Sequence, residues 1–233
     1  MKVTRFLAAG LASTLLITAG CGGEDSDNSN NSGLITEDNA VQLAVQMMNF
    51  KDIQTSLISG KSIASGTKSS TPQTKVAVTY DCAESGSYTF DSATGNWTFT
   101  DCNDGFGATN GSSSISTSGS ITSSSSNLTF SLGNAIIDMS FTGNVDSSPG
   151  GAYDFDVDMS FTTPAGSLTI VTDPAFSGTG TNPPSNGIMT ISAPNNSKIL
   201  ITAFVSYMEV KADANGDGHY EMTTQVDWAG LGY

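Results

Sequence analysis

The chain has 233 residues, 8 basic against 22 acidic ones, and a formal net charge of -14. That length suits one domain, at most two, with enough chain for a real core, and the acidic balance argues against a nucleic-acid partner because nothing could replace the counterions around phosphates. A single histidine leaves little room for histidine-based catalysis or a multi-histidine metal site.

Lys2 and Arg5 open the chain, an apolar run extends from Phe6 to Ile17, and Thr18-Ala19-Gly20 lead into Cys21. This pattern resembles a bacterial lipoprotein signal peptide, whose lipobox ends in a cysteine that is cleaved and lipidated. The alternative is an ordinary secretory signal cut near Ala19 or Gly20, which would leave Cys21 free; the apolar run falls short of the roughly 20 residues a bilayer-spanning helix needs. The resemblance implies removal of residues 1–20, acylation of Cys21 and attachment to a membrane through lipid. Gly22 stands where an aspartate would mark retention at the inner membrane, so the implied location is the bacterial cell envelope, at the outer membrane. Residues 22–33 carry no large apolar side chain and read as a flexible acidic tether. The expected organisation is a signal peptide over 1–20, lipidated Cys and tether over 21–33, and one domain over 34–233.

Thr36 followed by Glu37 and Asp38 predicts a helix start, with a hydroxyl N-cap and acids in the first turn. Val41, Ala44, Val45 and Met48 recur at helical spacing, widened by Leu43 and Met47. The stripe predicts a core-facing helix running to about Phe50 or Leu57, and residues 59–73 read as a loop. From Lys75 the period changes to two. The clearest stretch sets Tyr153, Phe155, Val157, Met159 and Phe161 against Asp154, Asp156, Asp158, Ser160 and Thr162. Turn chemistry at Gly95, Gly133-Asn134, Pro149-Gly150-Gly151 and Pro164-Ala165-Gly166 separates successive strands. The expected fold is mainly β: an antiparallel meander of roughly ten strands (a curved sheet, half-barrel or barrel) with one N-terminal helix. The Ser/Thr-rich stretch 111–126 reads either as a loop or as a small-residue strand or edge hairpin.

Cys82 and Cys102 remain once Cys21 is assigned to the anchor, and an even pair in an oxidising compartment predicts a disulfide. A hairpin turning near Gly95 would return Cys102 to the start of its own strand pair. A redox pair or a zinc site is the alternative, with neither a C-x-x-C motif nor a local histidine to support it.

Asp154, Asp156 and Asp158 share one strand face at roughly 6.6 Å spacing, too far apart to chelate one ion together. With Asp138 opposite they would form an acidic strip, either one that recruits cations or a basic partner or, the preferred reading, a solvated face that discourages edge-to-edge aggregation. The sharper motif is Asp213-Ala214-Asn215-Gly216-Asp217-Gly218-His219-Tyr220-Glu221. It resembles the calcium-binding D-x-N-x-D-G loops of EF-hands, dockerins and β-propeller repeats. The resemblance implies Ca²⁺ held by Asp213, Asn215, Asp217, the His219 carbonyl and Glu221, with Gly218 making the sharp turn. Thr224 departs from the EF-hand pattern where a bidentate glutamate would stand. The alternative is an Asn/Gly-rich hairpin turn without an ion.

No G-x-S-x-G, H-E-x-x-H or glycine-rich phosphate loop occurs. The expected function is therefore a lipid-anchored extracytoplasmic binding or structural lipoprotein with a structural calcium loop, its partner a protein or hydrophobic ligand. A carrier of lipid or hydrophobic ligand is the first alternative and would need an apolar cavity of several hundred Å³. A secreted hydrolase is the second and would need two facing acids in a cleft.

Overall fold

The computed structural model describes residues 34–48 and 77–231, apart from 106 and 165. The expected signal peptide, Cys21, the expected tether, the expected helix end at Phe50 or Leu57 and the expected loop 59–73 lie outside the described residues. Helix α1 (Glu37–Met48) is followed by β1 (Ala77–Asp81), β2 (Ser85–Asp91), β3 (Asn96–Asn103), β4 (Ala108–Ser118), β5 (Ile121–Leu132) and β6 (Ala135–Asp146). Then come β7 (Ala152–Thr163), β8 (Gly166–Thr172), β9 (Phe176–Thr179), β10 (Ile188–Ser192), β11 (Lys198–Ala203), β12 (Tyr207–Asp213) and β13 (Met222–Asp227). A 3-10 turn, Trp228–Leu231, ends the described chain.

Every pairing is antiparallel, and strand order follows chain order except that β10 pairs β8 while β9 pairs β7. The path runs from β1 to β13 without joining them, so the sheet stays open; the closed-barrel alternative gives way to a single open meander. Strand β7 forks. Its first residues, Ala152–Phe155, pair β9, and its last, Met159–Thr163, pair β8. Short turns carry the meander. Asp91 and Asp146 each accept a backbone N–H two residues on, from Ala93 and Ser148, and these bonds hold both carboxyls below the ordinary range.

Alternation places one face of each strand in the core. Ala135, Ile137, Met139 and Phe141 of β6 are buried while Ile136, Asp138, Ser140 and Thr142 are exposed. The same face continues through Phe155 and Val157, Ile170, Ile191, Ile199 and Ile201 to Met208 and Val210. Helix α1 lies against β11 and β12 on that face. Its start is capped reciprocally: Asn39 N–H donates to Thr36 Oγ1 at 3.2 Å and Thr36 N–H to Asn39 Oδ1 at 2.9 Å. The buried stripe is Ala40, Leu43, Ala44, Met47 and Met48; it keeps Leu43, Ala44, Met47 and Met48 of the expected stripe and has Ala40 in place of Val41 and Val45. Fully buried alanines at 40 and 44 let the helix sit close to the sheet, and the two valines flank the contact half-buried.

The described residues form thirteen strands where roughly ten were expected, and the added ones are β4 and β9. The stretch 111–126 is a strand pair, with Ser113 opposite Ser126 and Ser114 opposite Ser125. Serines rather than aliphatics occupy its covered face: Ser113, Ser124 and Ser126 are buried. They meet their hydrogen-bonding needs locally, Ser113 with Ser126 at 2.8 Å and Ser124 with the Gly143 carbonyl at 3.4 Å. Ile121 stays 47% exposed, so it does not anchor this hairpin.

Candidate metal site

Strands β12 and β13 pair from Tyr207↔Asp227 to Ala212↔Met222, and the nine residues 213–221 close their hairpin. Asp213 is the last residue of β12 and only 2% exposed. Its Oδ1 accepts Gly216 N–H at 2.7 Å and its Oδ2 accepts Gly218 N–H at 2.9 Å, so the carboxylate folds the loop around itself. Asn215 Oδ1 accepts Asp217 N–H, and Asp217 Oδ1 accepts His219 N–H, both at 2.8 Å. Gly216 and Gly218 hold φ of +77° and +92°, a region that costs side-chain-bearing residues strain. A Cβ on Gly216 would also overlap the Asn195 carbonyl oxygen, because the loop rests on the β10–β11 turn.

These turns bring three acids together. One carboxylate oxygen from each of Asp213, Asp217 and Glu221 lies within 4.8 Å of the others. Asn215 Nδ2 donates to Glu221 Oε1 at 2.7 Å and to Asp217 Oδ2 at 3.3 Å, while Glu221 Oε2 accepts Ala214 N–H at 3.0 Å. An amide N–H group thus stands among the carboxylates, where positive charge density is stabilised. Rotating that amide would turn Oδ1 inward and add a fourth hard oxygen, at the cost of its bond to Asp217 N–H. Oxygen donors with no sulfur or imidazole nitrogen among the converging carboxylates suit a hard cation such as Ca²⁺. His219 enters through its backbone, as donor to Asp217.

Cys82 and Cys102 form a disulfide with Cα atoms 5.4 Å apart, inside the range such a bond requires. The hairpin β2–β3 brings them together, as Cys82 N–H donates to Gly86 O and Ser85 stands opposite Asn103. Asp104 lies beside the bridge and accepts Ala83 N–H at 2.9 Å. The bonded sulfurs offer no thiolate, so this group is a clipped turn rather than a metal centre.

On the outer face, Asp138 stands opposite Ser160 rather than an aspartate, and Thr129 donates to it at 2.7 Å. Asn144 likewise donates to Asp154 at 3.0 Å. Asp156 differs from its neighbours. It sits at the fork of β7, and its Oδ1 is buried with no hydrogen-bond partner among the described residues. Burial, then the negative charges of Asp158 and Asp173, raise its carboxyl above the ordinary value. Asp173 enters from the end of β8, a neighbour that strand periodicity gives no means of finding. No protein-family model, no curated protein and no solved structure matches this chain, so what the site does rests on its own geometry.

Proposed function

We propose that this chain is a lipid-anchored extracytoplasmic β-sheet module whose last hairpin is held by one structural Ca²⁺ in the loop 213–221. The observation that carries the calcium reading is the convergence of Asp213, Asp217 and Glu221 within 4.8 Å. Like charges that close repel in the absence of a cation, and a hard ion relieves the repulsion. The anchor reading rests on the resemblance of residues 1–21 to a lipoprotein signal. Among the described residues, the void beside Met47, Met48, Phe155, Val157 and Met189 measures about 10 Å³, close to the space of a single water and too small for a hydrophobic ligand.

Thermal melting in calcium and in chelator, on wild type and on Asp217→Ala, tests the ion. With extracellular-type affinity of 10⁻⁴ to 10⁻³ M, ligand at about 100 times Kd adds about 2.7 kcal/mol. Wild type should melt higher in calcium, and Asp217→Ala should lose that difference. Equal melting temperatures for wild type in both conditions would reduce the loop to an ordinary turn. Cys21→Ser tests the anchor by moving the protein from the membrane to the soluble fraction.

A further inference from the structure

In this meander every second turn returns to the same end of the sheet. One end carries the β1–β2 turn with the Cys82–Cys102 bridge, Gly133-Asn134, the β7–β8 turn, the β10–β11 turn and the loop 213–221. The opposite end carries the β2–β3, β4–β5, β6–β7 and β11–β12 turns. The described chain enters at the first end, since Leu34 packs over Gly166 at the β7–β8 turn and its carbonyl accepts Asn39 Nδ2. The point of attachment to the domain is therefore at one extremity of the strands, not at their middle.

Two lengths decide what this means for an anchored protein. The thirteen residues from Cys21 to Gly33 reach at most about 45 Å when fully extended. Strands β5, β6 and β7 are each 12 residues long, a span of about 40 Å. With the entry end toward the bilayer, the connection has ample slack. With the opposite end toward the bilayer, the same residues would have to run back along the whole sheet, close to their full reach and with most of their conformational freedom lost. Lying flat on the outer face of β6 and β7 is disfavoured by charge, because exposed Asp138, Asp154 and Asp158 would face lipid phosphates.

We propose that the domain stands on the lipid surface with the Cys82–Cys102 and 213–221 end toward the headgroups and the β4–β5, β6–β7 and β11–β12 turns presented outward. This orientation rests on the lipid-anchor reading. It places Val205, 78% exposed at the β11–β12 turn, at the outward extremity.

The test uses the full lipidated chain in phosphatidylcholine vesicles that carry a headgroup nitroxide quencher. A bimane label is placed on Asn134→Cys at the near end, or on Val205→Cys or Ser92→Cys at the far end; all three positions are exposed turn residues. With the ends about 40 Å apart, quenching at position 134 should exceed that at 205 and 92 by about twofold or more. Equal or reversed quenching in protein that floats with the vesicles overturns the orientation and leaves the anchor standing. Protein that fails to float with the vesicles overturns the anchor, and the orientation with it.

Discussion

Ser113 and Ser126 face each other across β4 and β5, and their hydroxyls share a buried hydrogen bond of 2.8 Å. The pair lies on the face that elsewhere carries Leu128, Phe130, Met139 and Phe141. Two hydroxyls in such a place are tolerated because each satisfies the other.

Removing one hydroxyl leaves its partner buried and unsatisfied. Ser113→Ala or Ser126→Ala should each cost about 1–3 kcal/mol, whereas the double alanine variant should cost clearly less than their sum. Urea unfolding of all four proteins measures the coupling. Strictly additive losses would show that the two hydroxyls act independently.

The Cys82–Cys102 bridge closes a separation of 20 residues, which the chain-entropy treatment values at about 3 kcal/mol. Replacing both cysteines by alanine should lower the unfolding free energy by about 2–4 kcal/mol. Non-reducing peptide maps should recover the two cysteines as one linked peptide. Free thiols at both positions in protein purified without reductant would remove the bridge from the native fold.

Asp156 predicts a pH dependence with a definite sign. Its carboxyl titrates above its unfolded value, so folding favours the protonated form, and its favourable contribution is complete below the unfolded pKa. That contribution is lost as pH rises through the raised folded pKa. Asp156→Asn should therefore stabilise the protein at neutral pH by less than about 1 kcal/mol, because the side chain stays partly in water. The gain should vanish below about pH 4, where aspartate itself is protonated. A gain that persists unchanged into acid would contradict this origin.

Gly216 and Gly218 separate backbone strain from close contact. Both have positive φ, so alanine at either should cost about 1 kcal/mol or more. At Gly216 the new Cβ also meets the Asn195 carbonyl, whereas nothing lies within 4 Å of one at Gly218. Gly216→Ala should melt lower than Gly218→Ala in calcium and in chelator alike. Equal melting temperatures would mean that the loop does not rest on the β10–β11 turn.

Strands such as β6 and β7 are legible in the sequence because side-chain polarity alternates with the pleat, from Tyr153 to Phe161 without interruption. The helix start is legible for a similar reason, since Thr36 and Asn39 satisfy one another within four residues. The cysteine pairing needed only a hairpin between two thiols. Local chemistry of this kind is written within a few residues, and neighbouring sequence suffices to read it.

The sequence by itself thus determined a β meander behind one helix, the hairpin that joins Cys82 to Cys102, and the loop in which Asp213, Asp217 and Glu221 occur. Only the tertiary structure decided that β4 and β5 carry serines on their covered face, because a hydroxyl buries as readily as it solvates once a cross-strand partner exists. It likewise decided that β9 pairs with β7 rather than with β8, and that Asp173 comes near enough to Asp156 for its charge to act on it. Those contacts join residues far apart in the chain, and their geometry depends on how the whole sheet is laid out rather than on any local preference.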